Sequence, residues 1–282
     1  TFAAHAPART VGLVFLTLNF LFGSWLARIP EVQNRLQLTE GQLGLALLGL
    51  TLGGLFITPV SGWILSRLPA GRATVYSVLS FCLAIVLPAF STSIWTLTGA
   101  HLLVGLANGF LNVSMNAAAA GVERHFRISI MSTCHGMFSL GGMLGAASAG
   151  LLAGWGLPLS THLLILAVLF ILLHLRLAPF LLRIPDQPVT ASRSGWRLPD
   201  RTVAVLSLLG FCFIMGEGAV GDWSAVYLRN TLGSDPFLAG MGFAGFSLAM
   251  AVGRFGGDAT RNRFGSRALV AGGGLLGAAG LA

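Results

Sequence analysis

The sequence predicts an all-α membrane protein built from parallel six-helix repeats, with about nine transmembrane helices present of a full set of twelve. Three observations carry that prediction. The composition is strongly apolar, the arginines fall in alternate gaps between apolar runs, and two sequence patterns recur at offsets of 196 and 198 residues.

The chain is 55% hydrophobic and 9% charged, with a mean hydropathy of +0.81. Soluble domains carry about 25% charged residues. This chain lacks the polar surface to cover itself in water, so lipid is its solvent. An apolar run of about 20 residues crosses the hydrocarbon core as a helix, the form that satisfies its own backbone. Nine runs qualify: 10–28, 41–65, 73–92, 96–121, 130–154, 160–182, 202–228, 237–257 and 268–282. The ninth is short, and the chain starts at Thr1, so the sequence reads as part of a longer protein.

The gaps give the orientation. All 17 basic residues are arginine, and 14 lie at the N-terminus or around 66–72, 122–129, 176–201 and 254–267. Arg28, Arg35 and Arg229 fall in the other gaps. Basic loops stay on the cytoplasmic side during insertion. This places the N-terminus in the cytoplasm, with the chain crossing the membrane many times. The outer loops are then 29–40, 92–95, 155–160 and 229–236. The first run is too long, and lacks the small-residue cleavage site, for a signal peptide.

The longest inner segment, 183–201, holds three prolines and four arginines and reads as a linker. It divides an N-terminal six-helix bundle (1–182) from an incomplete C-terminal bundle (202–282, helices 7–9). The second bundle echoes the first. Asn19, Gly23, Ser24, Trp25 and Ala27 on helix 1 match Glu217, Gly221, Asp222, Trp223 and Ala225 on helix 7, at an offset of 198. The basic loop Arg67–Arg72 after helix 2 matches Arg263–Arg267 after helix 8, at an offset of 196. An even helix count keeps both copies in the same direction.

At these residues the chain resembles the major facilitator superfamily. The stretch Gly62–Arg72 (GWILSRLPAGR) is similar to that superfamily's signature between helices 2 and 3, except that Ser66 stands where an acid is expected. The second-half counterpart, Gly253 to Asp258, keeps an acid. Three stretches (Trp25–Glu31, Asn112–Asn116 and His135–Gly141) resemble a bacterial branch near the fucose-permease group. The resemblance implies a secondary transporter working by alternating access, with its substrate held between the halves. Fucose-permease-like relatives carry an acid on helix 4 for proton coupling; this helix 4 has none.

Polar side chains inside spans are costly and usually face the bundle interior or a cavity. Glu217 lies 15 residues beyond Thr202, about 22 Å along its helix, and reads as a proton-coupling or substrate-binding group, or else a static helix contact. Asp222 lies nearer the outer surface, where a solvated interfacial acid competes with a site. Asn108, Asn112 and Asn116 recur every four residues along one face of helix 4. They line a cavity or tie helix 4 to a neighbour. Asn19, the repeat partner of Glu217, is expected to approach the cavity from the opposite side. His135 reads as a relay or gate, or as a helix-contact histidine. Arg28 is an outer-gate candidate pairing with Glu31 or Asp222, or it snorkels to headgroups. Arg67, Arg72, Arg254, Arg263 and Arg267 either set topology alone or also lock the inner side, with Asp258 as acceptor.

Other function classes are disfavoured. The net charge of +8 sits in short loops without interleaved aromatics, so topology accounts for it and no nucleic-acid partner is expected. Cys82, Cys134 and Cys212 lie in predicted spans without ligand spacing and read as packing residues. No metal, cofactor or hydrolase motif is present, so no enzyme is expected. The sequence reading is a monomeric secondary transporter in contact with lipid, moving a small solute. The three asparagines favour a polar or sugar-like solute, and proton coupling stays open. A drug or metabolite efflux pump, or a transport-inactive receptor or scaffold, remains an alternative.

Overall fold

The computed structural model describes residues 2–184 and 200–281, with the side chains of 257–259, 261, 262, 266 and 281 outside the description. Most of the expected linker, 185–199, therefore lies outside the described residues. The described helices are α1 (Ala6–Leu26), α2 (Ile29–Leu36), α3 (Glu40–Leu65), α4 (Ala70–Ala84), α5 (Ile94–Phe126), α6 (Met131–Gly154), α7 (Leu159–Leu181), α8 (Arg201–Val226) and α9 (Pro236–Leu281). Eight spans among the described residues are long and apolar enough to cross a membrane. A further helical stretch follows within α9, beyond a break at Gly265, whose φ of 80° is left-handed.

Local chemistry explains where the elements begin and end. Part of the expected outer loop 29–40 is instead the short helix α2, with a proline in its first turn and Gln37 closing it at φ 52°. Thr39 and Gln42 then form a reciprocal capping box that starts α3. Ser93 and Thr96 do the same for α5. Helix 3 stops at Ala84, earlier than expected, and Pro88 lies in a 3-10 turn, Leu87–Phe90. Helix 4 runs on to Phe126, where Arg127 at φ 52° ends it. Glu123 Oε1 accepts from the amides of Ile130 and Met131 at 2.7 and 2.9 Å, holding the start of α6 against the end of α5.

Three helix pairs organise the packing: α1 on α6, α3 on α5, and α6 on α9. Lipid tails are as apolar as leucine, so close van der Waals approach drives such pairing. Glycines allow it. A Cβ on Gly53 of α3 would lie 2.7 Å from the Leu106 amide nitrogen of α5. One on Gly240 of α9 would lie 2.8 Å from the Ala146 carbonyl of α6. Gly23 of α1 and Gly142 of α6 meet backbone to backbone. Buried polar side chains tie further pairs. His101 Nδ1 donates to Ala46 O at 3.0 Å, His174 Nε2 and Thr17 Oγ1 lie 3.0 Å apart, and Ser77 and Ser114 share a 2.7 Å bond. Leu169, Leu172 and Leu175 of α7 and Leu52, Leu55 and Phe56 of α3 are exposed, as lipid-facing residues should be. Cys82 and Cys134 are buried packing residues, whereas Cys212 is exposed on α8.

Candidate functional site

The start of α1 marks one end of the bundle, here called the basic end. It gathers Arg9, Arg67, Arg72, Arg124 and Arg201. Among described contacts there, the start of α4 meets the end of α7 at Gly71 and Leu181. The three exceptional arginines lie at the opposite end, and each binds a backbone carbonyl. Arg28 donates to Leu157 O at 2.7 Å, Arg35 to Ser91 O at 3.1 Å, and Arg229 to Ser234 O at 2.6 Å.

Arg28 is 2% exposed and pairs with Glu31 at 2.5 Å. Glu31 Oε1 also accepts from the Leu159 amide at the start of α7. All these partners precede the linker, so in this conformation the pair ties α1 and α2 to the α6–α7 turn and does not bridge to α8 or Asp222. Nor does Arg28 snorkel, because its guanidinium is buried. The bridge at this end comes from residues with no sequence signal of their own. Asn230 donates to Gln33 Oε1 at 2.9 Å and accepts from Asn34 Nδ2 at 3.2 Å. Trp223 of α8 packs beside Gly44 of α3 just inside this clasp.

A second polar group forms where α6 meets α9. Arg254 Nη1 donates to Ser139 Oγ at 2.6 Å and to His135 O at 3.3 Å, and its guanidinium lies 5.7 Å from the Phe138 ring. Glu217 of α8, half-buried, is within Coulombic reach of Arg254. Among the described residues the two form no contact ion pair; the one described pair is Arg28 with Glu31. His135 is half-buried, its ring edge-on to Phe15 at 5.2 Å. Arg254 was expected in an inner loop. It instead lies inside α9, within the apolar span Pro236–Gly256.

Asn19 differs from expectation. It is 5% exposed and donates to Phe138 O at 3.0 Å. Gly141 and Gly145 draw α6 onto α1, leaving the amide between the two helices rather than facing an open space. Ser247 of α9 meets the same place on α6, at Gly142. The asparagines of α5 behave otherwise. Asn116 donates to Asn112 O and Oδ1 at 2.8 and 3.2 Å, and neither side chain bonds another helix among the described residues. Asn112 is exposed and Asn108 half-buried. Asp222 is half-buried on α8 without a described hydrogen bond.

The remaining gate candidates do not converge. Arg67, in the turn after α3, is exposed and stacks on Trp63 of that helix at 3.9 Å. Arg263 lies over Phe264 at 5.2 Å, and Arg72 and Arg267 are exposed. The Asp258 side chain lies outside the described ones, as does any acceptor role for it. Among the described residues no group of histidine, cysteine and acidic side chains could hold a metal.

Comparison with known proteins accounts for this geometry. The sequence profile of the Major Facilitator Superfamily matches residues 10–282. The chain belongs to the Major Facilitator Superfamily. It is 33% identical over 263 residues to an uncharacterized transporter, y4wD, of Sinorhizobium fredii, covering 92% of this chain and 69% of that protein. It is 32% identical to an uncharacterized MFS-type transporter of Yersinia pestis, covering 95% and 70%. It is 28% identical to the membrane protein MosC of Rhizobium meliloti, covering 96% and 66%. A crystal structure of the nucleoside transporter NupG shares the fold at a TM-score of 0.59 and 17% identity, over 91% of this chain and 68% of that one. As a superfamily member this chain is a multi-pass secondary transporter and not an enzyme. The α6–α9 seam and the Gln33–Asn230–Asn34 clasp are contacts between helices that precede residue 185 and helices that follow residue 199.

Proposed function

We propose that this chain moves a small polar solute across the bacterial inner membrane by alternating access, with Glu217 as the proton-coupling group. The observation that carries this reading is the seam cluster. Arg254 from α9 is bonded to Ser139 and His135 O of α6, and Glu217 of α8 lies within Coulombic reach of that guanidinium. An ionisable group at the centre of a span costs about 2.5–3.5 kcal/mol on insertion scales, so it is retained for a role. Glu217 has no described hydrogen bond. A carboxylate without fixed partners, beside a cation and between two groups that move, is suited to exchange a proton as the groups separate. The accessible amides Asn108, Asn112 and Asn116 supply donors and acceptors for a polar solute.

The same reading places the N-terminus and the basic end in the cytoplasm, by the positive-inside rule. It also divides the chain into bundles 1–182 and 202–282 joined by 183–201. The same three asparagines favour a sugar-like or related polar solute.

The test is transport by the purified full-length protein in proteoliposomes, with a polar metabolite extract as the solute pool. An imposed pH gradient should drive accumulation in the wild type, and Glu217→Gln should abolish the gradient dependence while leaving exchange. Gradient-independent accumulation by both proteins would remove Glu217 from the coupling role.

A further inference from the structure

The early end of helix 3 opens a groove at the end of the bundle opposite the basic one. α4 stops at Ala84, and Pro88 carries the chain into the 3-10 turn Leu87–Phe90. Between that turn and the first turns of α5 lies a cavity of about 220 Å³, lined by Leu87, Phe90, Ser91, Thr96, Ala100 and Leu103. Leu87, Phe90 and Leu103 are exposed, so the slot has open apolar walls. Thr96 Oγ1 is spent on the start of α5, where it accepts from the amides of Thr92 and Ser93 at 3.0 Å. Ser91 is different. The residue is 5% exposed, and its Oγ is buried with no hydrogen-bond partner among the described residues. A buried hydroxyl left unmade keeps its full desolvation cost, so such groups ordinarily have a partner. This one lines a groove in which a ligand oxygen can supply it.

A cation stands at the same place. Arg35 of α2 is exposed, and its Nη2 donates to Ser91 O at 3.1 Å. The acid one turn earlier on α2, Glu31, is engaged by Arg28. Trp95, beside the groove, is 81% exposed, and tryptophan is enriched at the level of the lipid headgroups. The cavity is smaller than the about 300–1,000 Å³ of sites for drug-sized ligands. An apolar slot of this size, with a guanidinium and a hydroxyl at its head, has the form of part of one acyl chain below a phosphate. A zwitterionic headgroup carries its own cation beside the phosphate, whereas an anionic headgroup leaves that charge for Arg35.

We propose that this groove binds an anionic phospholipid from the leaflet at the end opposite the basic one. One acyl chain lies against Leu87, Phe90 and Leu103, the phosphate meets Arg35, and a headgroup or ester oxygen accepts from Ser91 Oγ. The site requires only that the helices stand in a membrane, so it fails or holds separately from the solute and coupling reading above.

The experiment uses the full-length protein, cysteine-free apart from Thr92→Cys, labelled there with bimane and placed in phosphatidylcholine nanodiscs. Thr92 is exposed at the rim of the groove. A small fraction of lipid with brominated chains, either phosphatidylglycerol or phosphatidylcholine, quenches the label when a chain occupies the groove. Quenching should half-saturate at a several-fold lower fraction of phosphatidylglycerol than of phosphatidylcholine. Arg35→Gln should reduce that preference about five-fold, the worth of one cation at an anionic membrane surface, and Arg35→Lys should keep most of it. Leu103→Trp fills the slot and should remove the saturable quenching by both lipids. Ser91→Ala should weaken binding several-fold while leaving the unfolding temperature in lipid-free detergent unchanged or raised. A drop there would show that the hydroxyl serves the protein alone and would count against the site. Equal quenching by the two lipids, or a preference untouched by Arg35→Gln, would reduce the groove to ordinary boundary lipid and overturn the proposal. Relief of quenching by inorganic phosphate would assign the groove's head to a soluble anion, and relief by a polar metabolite extract would assign it to the solute; either result overturns it.

Discussion

Replacing Glu31 by alanine is expected to destabilise the protein through Arg28, not through Glu31 itself. Arg28 is 2% exposed and Glu31 is 41% exposed, so the two ends of the pair stand in different solvents. Alanine at 31 removes the acceptor of Arg28 Nε at 2.7 Å and the ion-pair contact of Nη2 at 2.5 Å. It leaves Arg28 with Leu157 O alone, while Nη1 is already without a partner. Hydrogen bonds to charged groups are worth about 1.5–3 kcal/mol, and breaking one side of a buried pair costs about 3–5 kcal/mol. Water can reach the exposed side of the gap, so a loss near the lower bound, about 3 kcal/mol, is expected. The acid also caps the α7 amide of Leu159, a loss of about 0.5 kcal/mol that no change at Arg28 restores. The double variant Arg28→Met with Glu31→Ala removes the stranded charge, so it should be more stable than Glu31→Ala alone. Equilibrium unfolding of the purified protein in detergent, across the four members of the cycle, measures this. If the double variant is as unstable as two independent losses added together, or if Glu31→Ala costs under about 1 kcal/mol, the stranded-cation argument is wrong.

Three further outcomes follow from the packing. Gly240→Leu would place a Cβ 2.8 Å from the Ala146 carbonyl and 2.9 Å from Gly150 Cα. An overpacking cost of about 1–3 kcal/mol should hold the α6–α9 seam apart and abolish transport with helicity retained, while Gly245→Leu, with open space around it, should transport normally in the same proteoliposome assay. Asn230→Ala removes both bonds of the clasp at the end opposite the basic one. At about 1–2 kcal/mol for the pair, this shifts the open-to-closed ratio roughly 5- to 30-fold, read as faster maleimide labelling of Ala225→Cys in a cysteine-free background. Ser77→Ala and Ser114→Ala should each cost about 0.6 kcal/mol and show a matching coupling energy in a double-mutant cycle, the usual worth of an interhelical hydroxyl bond in lipid.

The fold was legible in the sequence because its determinants are local. An apolar run must become a helix in lipid, and capping pairs such as Thr39 with Gln42 set the boundaries. The misread elements had short-range causes that hydropathy does not register. Pro30 and the left-handed Gln37 make α2 from an expected loop, and Gly265 alone breaks α9 where a longer loop was expected. The candidate site was legible only in part. Glu217 stands out as a charge in an apolar run, and Arg254 lies near the end of the expected run 237–257, where it was grouped with the inner-loop arginines. Ser139, Gln33, Asn34 and Asn230 carried no signal, because serine and amides are ordinary in such stretches until a partner from a distant helix arrives.

Orientation is a matter of counting charges along the chain, and repeat identity is a matter of comparing two stretches of it. Both are read without knowing which helix touches which, and the sequence by itself determined class, helix order and family. Which polar group is engaged and which is open is a property of pairs. Asn19 and Glu217 match in the repeat expected from the sequence, yet Asn19 is closed between α1 and α6 while Glu217 lies within Coulombic reach of Arg254 without a described bond. That difference arises from glycines at 141 and 145 drawing two helices together, a contact between residues more than 100 positions apart, and only the tertiary structure decides it.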